Sequence, residues 1–276
     1  MSRIATRFAE LRAQGRGALI SFLEAWDPDP ATSMEILRGM PASGADLIEI
    51  GCPFTDPMAD GPTIQLAGKR ALKAGAKMVH TLAMVREFRR GDGATPIVLM
   101  GYLNPILAYG VERFCVDAAA AGVDGLIVVD LPSEEADLML PLMTAHGLDM
   151  IRLVAPTTDA RRLPKVLDGS SGFVYYVSIT GITGTRTASA EDLAHAIPRV
   201  RHATDLPIAI GFGVRSPQQA AAAVKAADAA VVASALIDTL AGTLDRDGRA
   251  GPDTVRRVLD QVRALADGVR QARQAA

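Results

Sequence analysis

The chain has 276 residues, of which 49% are hydrophobic, and its 29 Lys and Arg residues nearly balance its 31 Asp and Glu residues. This length fits one large α/β domain, and we expect residues 1–276 to form it. The balanced charge, without a basic stripe, argues against nucleic acid and anionic membranes as partners. Cys52 and Cys115 are too few for a disulfide framework, and no apolar run spans a bilayer, so we expect a cytoplasmic protein that acts on small molecules.

Strand and helix patterns alternate along the chain. Ile4, Phe8 and Leu11 share one face of a helix over residues 3–13, which we expect to cover the bottom of the fold. Helical patterns recur at 34–37, 62–74, 78–90, 111–121 and 133–146, and an apolar stripe from Asp253 onward predicts a docked closing helix. Eight apolar runs of strand length lie between them, at 18–23, 46–51, 96–101, 124–130, 150–154, 173–177, 207–211 and 229–233.

The strand runs are apolar almost throughout, which is typical of parallel strands covered on one side by helices and packed on the other. Eight such strands, each followed by a helix, predict a (β/α)8 TIM barrel with an extra N-terminal helix and a C-terminal closing helix. A doubly wound open sheet is the alternative. It is disfavoured because no Gly-x-Gly-x-x-Gly turn follows the first strand.

The second strand run carries a carboxylate. Alternation places Glu49 on the opposite face from Ile48 and Ile50, so it points into the barrel near the carboxyl end of its strand. Asp60 follows on the next loop, and two carboxylates in unlike surroundings suit acid/base chemistry. The alternatives are structural: Glu49 could be paired with a basic residue, and Asp60 could cap the next helix.

Three segments at the ends of late strands favour a phosphate site built from backbone N–H groups and a helix N-terminus: 180–186 and 211–213, which bear glycines, and 233–235, where a short helix starts. Tight turns are the alternative explanation for these glycines. No Lys lies on a predicted strand to form a Schiff base, and the four His are scattered, which disfavours a metal site. The remaining candidates for proton transfer are Glu49, Asp60, Asp130, Tyr102 and Tyr175.

Segments 49–65, 102–106, 125–132, 154–158, 172–178 and 211–214 resemble, in order, the signatures of the tryptophan synthase α subunit family. The resemblance implies a barrel lyase that cleaves indole-3-glycerol phosphate to indole and glyceraldehyde 3-phosphate in tryptophan biosynthesis. It also implies a β-subunit partner, in an assembly of two α and two β chains. Pyridoxal phosphate is expected only on the β subunit, so the chain itself needs no cofactor and no metal.

The resemblance also implies roles for individual residues. Glu49 would be the general acid/base, Asp60 would stabilise the cationic indolenine, and Tyr175 and Thr183 would position them. Gly184, Gly213 and Ser234 would bind the phosphate. The loop 53–60 and Asn104 would face the β subunit. The indole would be enclosed by Phe22, Tyr102, Leu126, Leu153, Phe212 and Val232.

Four residues depart from the family pattern. Glu24 and Trp26 replace the usual residues after the first strand, Arg152 replaces an apolar strand residue, and Ala233 replaces the Gly before Ser234. Glu24 and Trp26 motivate one other hypothesis, a weakly active chain that serves chiefly as an allosteric partner of the β subunit. A second alternative is another phosphosugar-binding lyase or epimerase, which would need a His, Lys or metal set at the strand ends that the sequence lacks.

Overall fold

The computed structural model describes residues 2–177, 190–211 and 213–272. Its core is one sheet of parallel strand segments in the order β5-β4-β3-β2-β1-β9-β8-β7-β6. The segments are β1 Ala18–Glu24, β2 Leu47–Gly51, β3 Ile97–Gly101, β4 Gly125–Val128, β5 Asp149–Met150, β6 Arg152–Val154, β7 Val174–Val177, β8 Ile208–Gly211 and β9 Ala229–Val232.

The sheet closes into a barrel at Ile151. Met150 in β5 pairs with β4, whereas Arg152 in β6 pairs with β7, and only Ile151 separates the two segments. The backbone N–H of Ile151 still donates to the carbonyl of Leu126 at 3.0 Å. β5 and β6 are therefore one interrupted strand, and the eight-stranded TIM barrel expected from the sequence is confirmed.

Helices surround the barrel. They are α1 Arg3–Ala13, α2 Pro30–Gly39, α3 Pro62–Lys73, α4 Met78–Arg89, α5 Leu103–Tyr109, α6 Val111–Ala121, α7 Leu140–Ala145, α8 Leu163–Leu167, α9 Ala190–Arg201, α10 Pro217–Ala226, α11 Ser234–Ala241 and α12 Thr254–Gln271, with a 3-10 helix at Ser133–Leu138. The expected helix over 133–146 is thus two short helices, because Pro141 has no N–H to continue the first into the second. The sequence patterns also did not indicate α5.

Side chains on alternate strand positions form two separate apolar layers. Leu47, Val98 and Ile127 point inward and pack with other residues of the barrel interior. Ile48 and Ile50 point outward into the larger core beneath the helices. Strand parity therefore decides which residues can reach the site at the carboxyl ends of the strands.

The bottom of the barrel is covered by α1, as expected. Its buried residues Ile4, Phe8 and Leu11 pack with the interior layer, and the rings of Phe8 and Phe173 lie 6.0 Å apart. Asp124 lies at the same end, where its carboxylate accepts hydrogen bonds from Arg89 at 2.7 Å and Arg3 at 2.8 Å. The closing helix α12 packs against α2, α10 and α11.

Candidate active site

A cavity of about 590 Å³ opens at the carboxyl ends of the strands, and we call it the mouth cavity. Alternation along β2 brings the Glu49 side chain into it, as predicted. The cavity is lined by Phe22, Glu49, Asp60, Ile64, Met100, Tyr175, Gly213, Val214, Arg215, Val231, Ala233 and Ser234.

Glu49 is buried and unpaired. Its side chain is 1% exposed, and neither carboxyl oxygen has a hydrogen-bond partner among the described residues. Burial, with a smaller contribution from the charge of Asp60, raises the pKa of Glu49 to about 8. The carboxyl group is therefore protonated at neutral pH and can donate its proton to a bound molecule.

Asp60 lies in the loop between β2 and α3 and lines the same cavity. Burial raises the pKa of Asp60 to about 6, and hydrogen bonding by the Tyr102 hydroxyl partly offsets the rise. The alternative role as a helix cap is wrong, because Gly61 is the N-cap of α3 and no side chain caps it. A neutral Glu49 and a largely ionised Asp60 can respectively donate a proton and stabilise a positive charge.

Tyr175 stands beside Glu49 on the inner face of β7. Its hydroxyl occupies the space that a side chain at Gly211 would fill, since a Cβ there would lie 2.1 Å from the Tyr175 oxygen. Burial, with a smaller contribution from Glu49, raises the pKa of Tyr175 well above its usual value, so the phenol remains a hydrogen-bond donor. The side chain can therefore help to orient Glu49.

The wall that the ends of β8 and β9 contribute to the mouth cavity has features that suit an anion. Gly213, whose φ is 88°, follows β8, and Ser234 is the first residue of α11 after β9. A helix N-terminus and nearby backbone N–H groups favour negative charge. Arg215 also lines the cavity but forms an ion pair with Asp238 of α11, and the sequence patterns did not single it out.

A smaller cavity of about 360 Å³, which we call the side cavity, shares Phe22, Asp60, Ile64 and Met100 with the mouth cavity. Its remaining walls are Glu24, Gly51, Cys52, Phe54, Pro57, Gly68, Gly101, Tyr102 and Val129. The two cavities are therefore adjacent, and we call them together the crevice: Glu49 lines the first, Glu24 the second, and Asp60 lines both.

The comparison with known proteins identifies the family. A family model described as tryptophan synthase alpha chain matches residues 8–270. The chain belongs to the tryptophan synthase alpha chain family. The tryptophan synthase alpha chain of Granulibacter bethesdensis is 73% identical over 273 residues, covering 99% of this chain and 98% of the relative. That of Acidiphilium cryptum is 69% identical over 276 residues, covering 100% of both.

Solved structures agree with this assignment. Tryptophan synthase subunit alpha from Legionella pneumophila matches with a TM-score of 0.88 and 34% identity, covering 98% of this chain and 99% of that one. A chain of Mycobacterium tuberculosis tryptophan synthase matches with a TM-score of 0.87 and 38% identity, covering 98% of both. As a member of the tryptophan synthase alpha chain family, the protein is a lyase that cleaves indole-3-glycerol phosphate to indole and glyceraldehyde 3-phosphate.

Within this family assignment, some expected indole contacts are corrected. Phe22 lines both cavities and Tyr102 lines the side cavity, while Leu153 packs with the interior layer. Leu126 and Val232 belong to the outer core, so their expected contact with indole is wrong. Ile64, Met100 and Val231 line the mouth cavity instead. Thr183, Gly184 and Phe212 lie outside the described residues.

The departures from the family pattern lie in different places. Ala233 lines the mouth cavity and Glu24 the side cavity. Trp26 stacks on His80 of α4, with ring centroids 4.4 Å apart, and lines neither cavity. Arg152 is buried on the outer face of β6, where it donates to the carbonyl of Leu131 at 3.1 Å.

The remaining candidate acid has a structural role. A carboxylate oxygen of Asp130 accepts a hydrogen bond from the backbone N–H of Leu103 at 2.7 Å, which ties β4 to the start of α5.

In the described part of the chain, no group of three His, Cys, Asp or Glu residues could hold a metal ion. Across the same residues, no helix has the length and apolarity needed to cross a membrane.

Proposed function

We propose that Glu49 is the general acid/base of the cleavage reaction. The neutral carboxyl group donates its proton to the indole ring carbon that carries the glycerol chain, which turns the ring into a cationic indolenine. The resulting carboxylate then takes the proton of the adjacent glycerol hydroxyl. The carbon–carbon bond breaks, its electrons return to the ring, and Glu49 ends protonated as it began. The buried, unpaired carboxyl group in the mouth cavity carries this proposal.

Asp60 and Tyr175 support this chemistry in the proposal. Asp60 accepts a hydrogen bond from the indole N–H and stabilises the positive charge of the indolenine, because it is the more acidic of the two carboxyl groups. Tyr175 orients Glu49 from β7. Phe22 and Tyr102 contact the indole ring. Gly213 and Ser234, together with Thr183, Gly184 and Phe212 from the segments outside the description, complete the substrate site.

The proposed role of Glu49 is tested by E49Q, which keeps the size of the side chain but cannot exchange a proton. We expect cleavage of indole-3-glycerol phosphate to fall below detection, while the Kd for glycerol 3-phosphate stays within about twofold. E112Q on the exposed face of α6 is the matched control. Loss of both cleavage and glycerol 3-phosphate binding in E49Q would make Glu49 a structural residue. Absence of cleavage in the wild-type chain, with activation of the β subunit intact, would identify an allosteric partner instead.

We infer that the chain works with a tryptophan synthase β subunit, in an assembly of two chains of each kind, in the cytoplasm. The loop 53–60 supports this inference, because Met58 is 73% exposed beside the site and offers an apolar contact. The acid/base chemistry needs no cofactor on this chain, and pyridoxal phosphate belongs to the β subunit. Size-exclusion chromatography with light scattering on a mixture of the two subunits tests the stoichiometry. Elution of the two subunits as separate species at micromolar concentration would contradict it.

A further inference from the structure

Glu24 is a third carboxyl group in the crevice, and the proposed chemistry gives it no task. It ends β1, where it pairs in register with Gly51, just as Phe22 pairs with Glu49. Its side chain is 4% exposed and lines the side cavity. A Cβ at Gly51 would lie 2.1 Å from a Glu24 carboxyl oxygen, so the carboxyl group occupies space that exists only because residue 51 has no side chain.

The surroundings of Glu24 favour its neutral form. Burial first, and then the charges of Asp60 and Asp27, raise the pKa of Glu24 well above its usual value, while Arg70 opposes them. Arg70 is already engaged, because two of its nitrogens donate to the Asp27 carboxylate at 2.6 and 2.7 Å. The Cys52 thiol faces Glu24 from the next loop and stays protonated, since burial raises its pKa. No described residue donates a hydrogen bond to the Glu24 carboxyl group.

Asp60 is the candidate acceptor for this donor, because its charge acts on Glu24. Asp60, Tyr102 and Glu24 line the same cavity. The Tyr102 hydroxyl oxygen accepts the backbone N–H of Ala59 at 3.0 Å, which leaves its own proton free to serve Asp60 from one side. A carboxylate has room for several donors, and each hydrogen bond to the ionised form favours that form.

We propose that Glu24 is a positioning residue for Asp60: its neutral carboxyl group donates a hydrogen bond to the Asp60 carboxylate across the side cavity and so keeps Asp60 ionised beside the indole ring. This proposal rests on the proposed role of Asp60. Asp60 is then the anion of the crevice and the other two carboxyl groups are neutral. Glu49 exchanges a proton with the reacting carbon, and Glu24 stabilises the charge of Asp60.

The test compares E24M, which removes the donor at similar volume, with E24Q, whose amide can still donate. The measurement is the pH dependence of kcat/KM for indole-3-glycerol phosphate with the β subunit present. We expect the acid limb of E24M to move up by about one pH unit, which lowers kcat/KM about tenfold below the limb. E24Q should restore the limb to within about 0.3 unit of wild type. E24A, which adds no apolar bulk, should behave like E24M.

The D60N background separates this proposal from the role of Asp60. In D60N the acid limb should disappear, and adding E24M should change nothing further. An acid limb unmoved by E24M and E24A, or moved equally by E24Q, overturns the proposal for Glu24. A D60N enzyme that keeps both its activity and its acid limb overturns the role of Asp60 instead. The Kd for glycerol 3-phosphate, whose proposed site at Gly213 and Ser234 does not include Glu24, should remain unchanged in every variant and so verifies that each one is folded.

Discussion

At the scale of single residues, burial and the charge of Asp60 together determine which carboxyl groups of the crevice hold a proton. Its charge contributes to the raised pKa of both Glu49 and Glu24, whereas burial is the largest cause at each. Burial also raises the pKa of Asp60, but only to about 6. Near neutral pH an ionised Asp60 therefore lies beside a protonated Glu49, so two neighbouring carboxyl groups take opposite protonation states in the same site.

A bell-shaped pH profile follows from these states. Cleavage needs Asp60 ionised and Glu49 protonated, so kcat/KM should fall below about pH 6 and above about pH 8. Steady-state kinetics between pH 5 and 9 measure both limbs, with E112Q as the control that keeps them. A flat profile over that range would contradict the assignment of these two residues.

The orphaned carboxyl group of Glu49 also makes stability depend on pH. Its pKa rises from 4.5 to about 8 on folding, so the native state holds a proton that the unfolded state releases. The free energy of unfolding of wild type should therefore fall, relative to E49Q, by about 1 kcal/mol per pH unit between pH 4.5 and about 8. Urea unfolding of both proteins at pH 5.5 and 7.5 measures the difference. Parallel pH dependence in the two would mean that Glu49 ionises freely in the folded protein.

At the scale of elements, two strand ends carry glycines because inward side chains cross over them. A methyl group at Gly211 would collide with the rigid Tyr175 ring, with its Cβ 2.1 Å from the hydroxyl oxygen and 2.3 Å from a ring carbon. We expect G211A to displace Tyr175 and cost about 1–3 kcal/mol of stability through overpacking. Cleavage should fall by at least tenfold, as expected for a misplaced orienting group.

G93A is the control for G211A, because nothing lies within 4 Å of a Cβ built at Gly93. Denaturant midpoints and kcat should match wild type in G93A. If G211A kept wild-type kcat, the placement of the Tyr175 hydroxyl against Gly211 would have no role in orienting Glu49.

The amino ends of the strands are held by charge pairs. Asp124 is buried beside Arg89, whose side chain is only 10% exposed, and also accepts the backbone N–H of Ile97 at 2.7 Å. D124A removes the carboxylate that neutralises the buried Arg89 guanidinium and leaves it bonded only to backbone carbonyls, which should cost about 3–5 kcal/mol.

D260A removes a carboxylate that is 50% exposed on α12, and we expect it to cost less than about 1 kcal/mol. Urea unfolding measures both costs. The kcat of folded D124A should stay near wild type, because the substitution lies at the opposite end of the barrel from Glu49. A large loss of kcat without loss of stability would show that the two ends are coupled.

At the scale of the whole molecule, the sequence was informative where a polar residue fixes the parity of a strand. Glu49 between Ile48 and Ile50 leaves only one reasonable inward face, and the structure confirms it. β4 is apolar on both faces, so nothing in its sequence distinguishes Leu126 from Ile127. The roles of Glu24 and Arg215 could not be predicted either, because each depends on what a distant segment places beside it.

The two ends of the barrel therefore have different roles: one stabilises the fold and the other carries the chemistry. The bonded carboxylate of Asp124 near α1 holds strand ends together, whereas the unpaired carboxyl group of Glu49 at the opposite end adds nothing to cohesion. Libraries that exchange only the wall positions Phe22, Ile64, Met100 and Val231 for apolar residues of similar volume should consequently yield mostly well-folded variants with altered preference for the aromatic portion of the substrate. Substrate preference and stability can therefore be selected separately in this scaffold, because the side chains that determine them lie about one strand length apart.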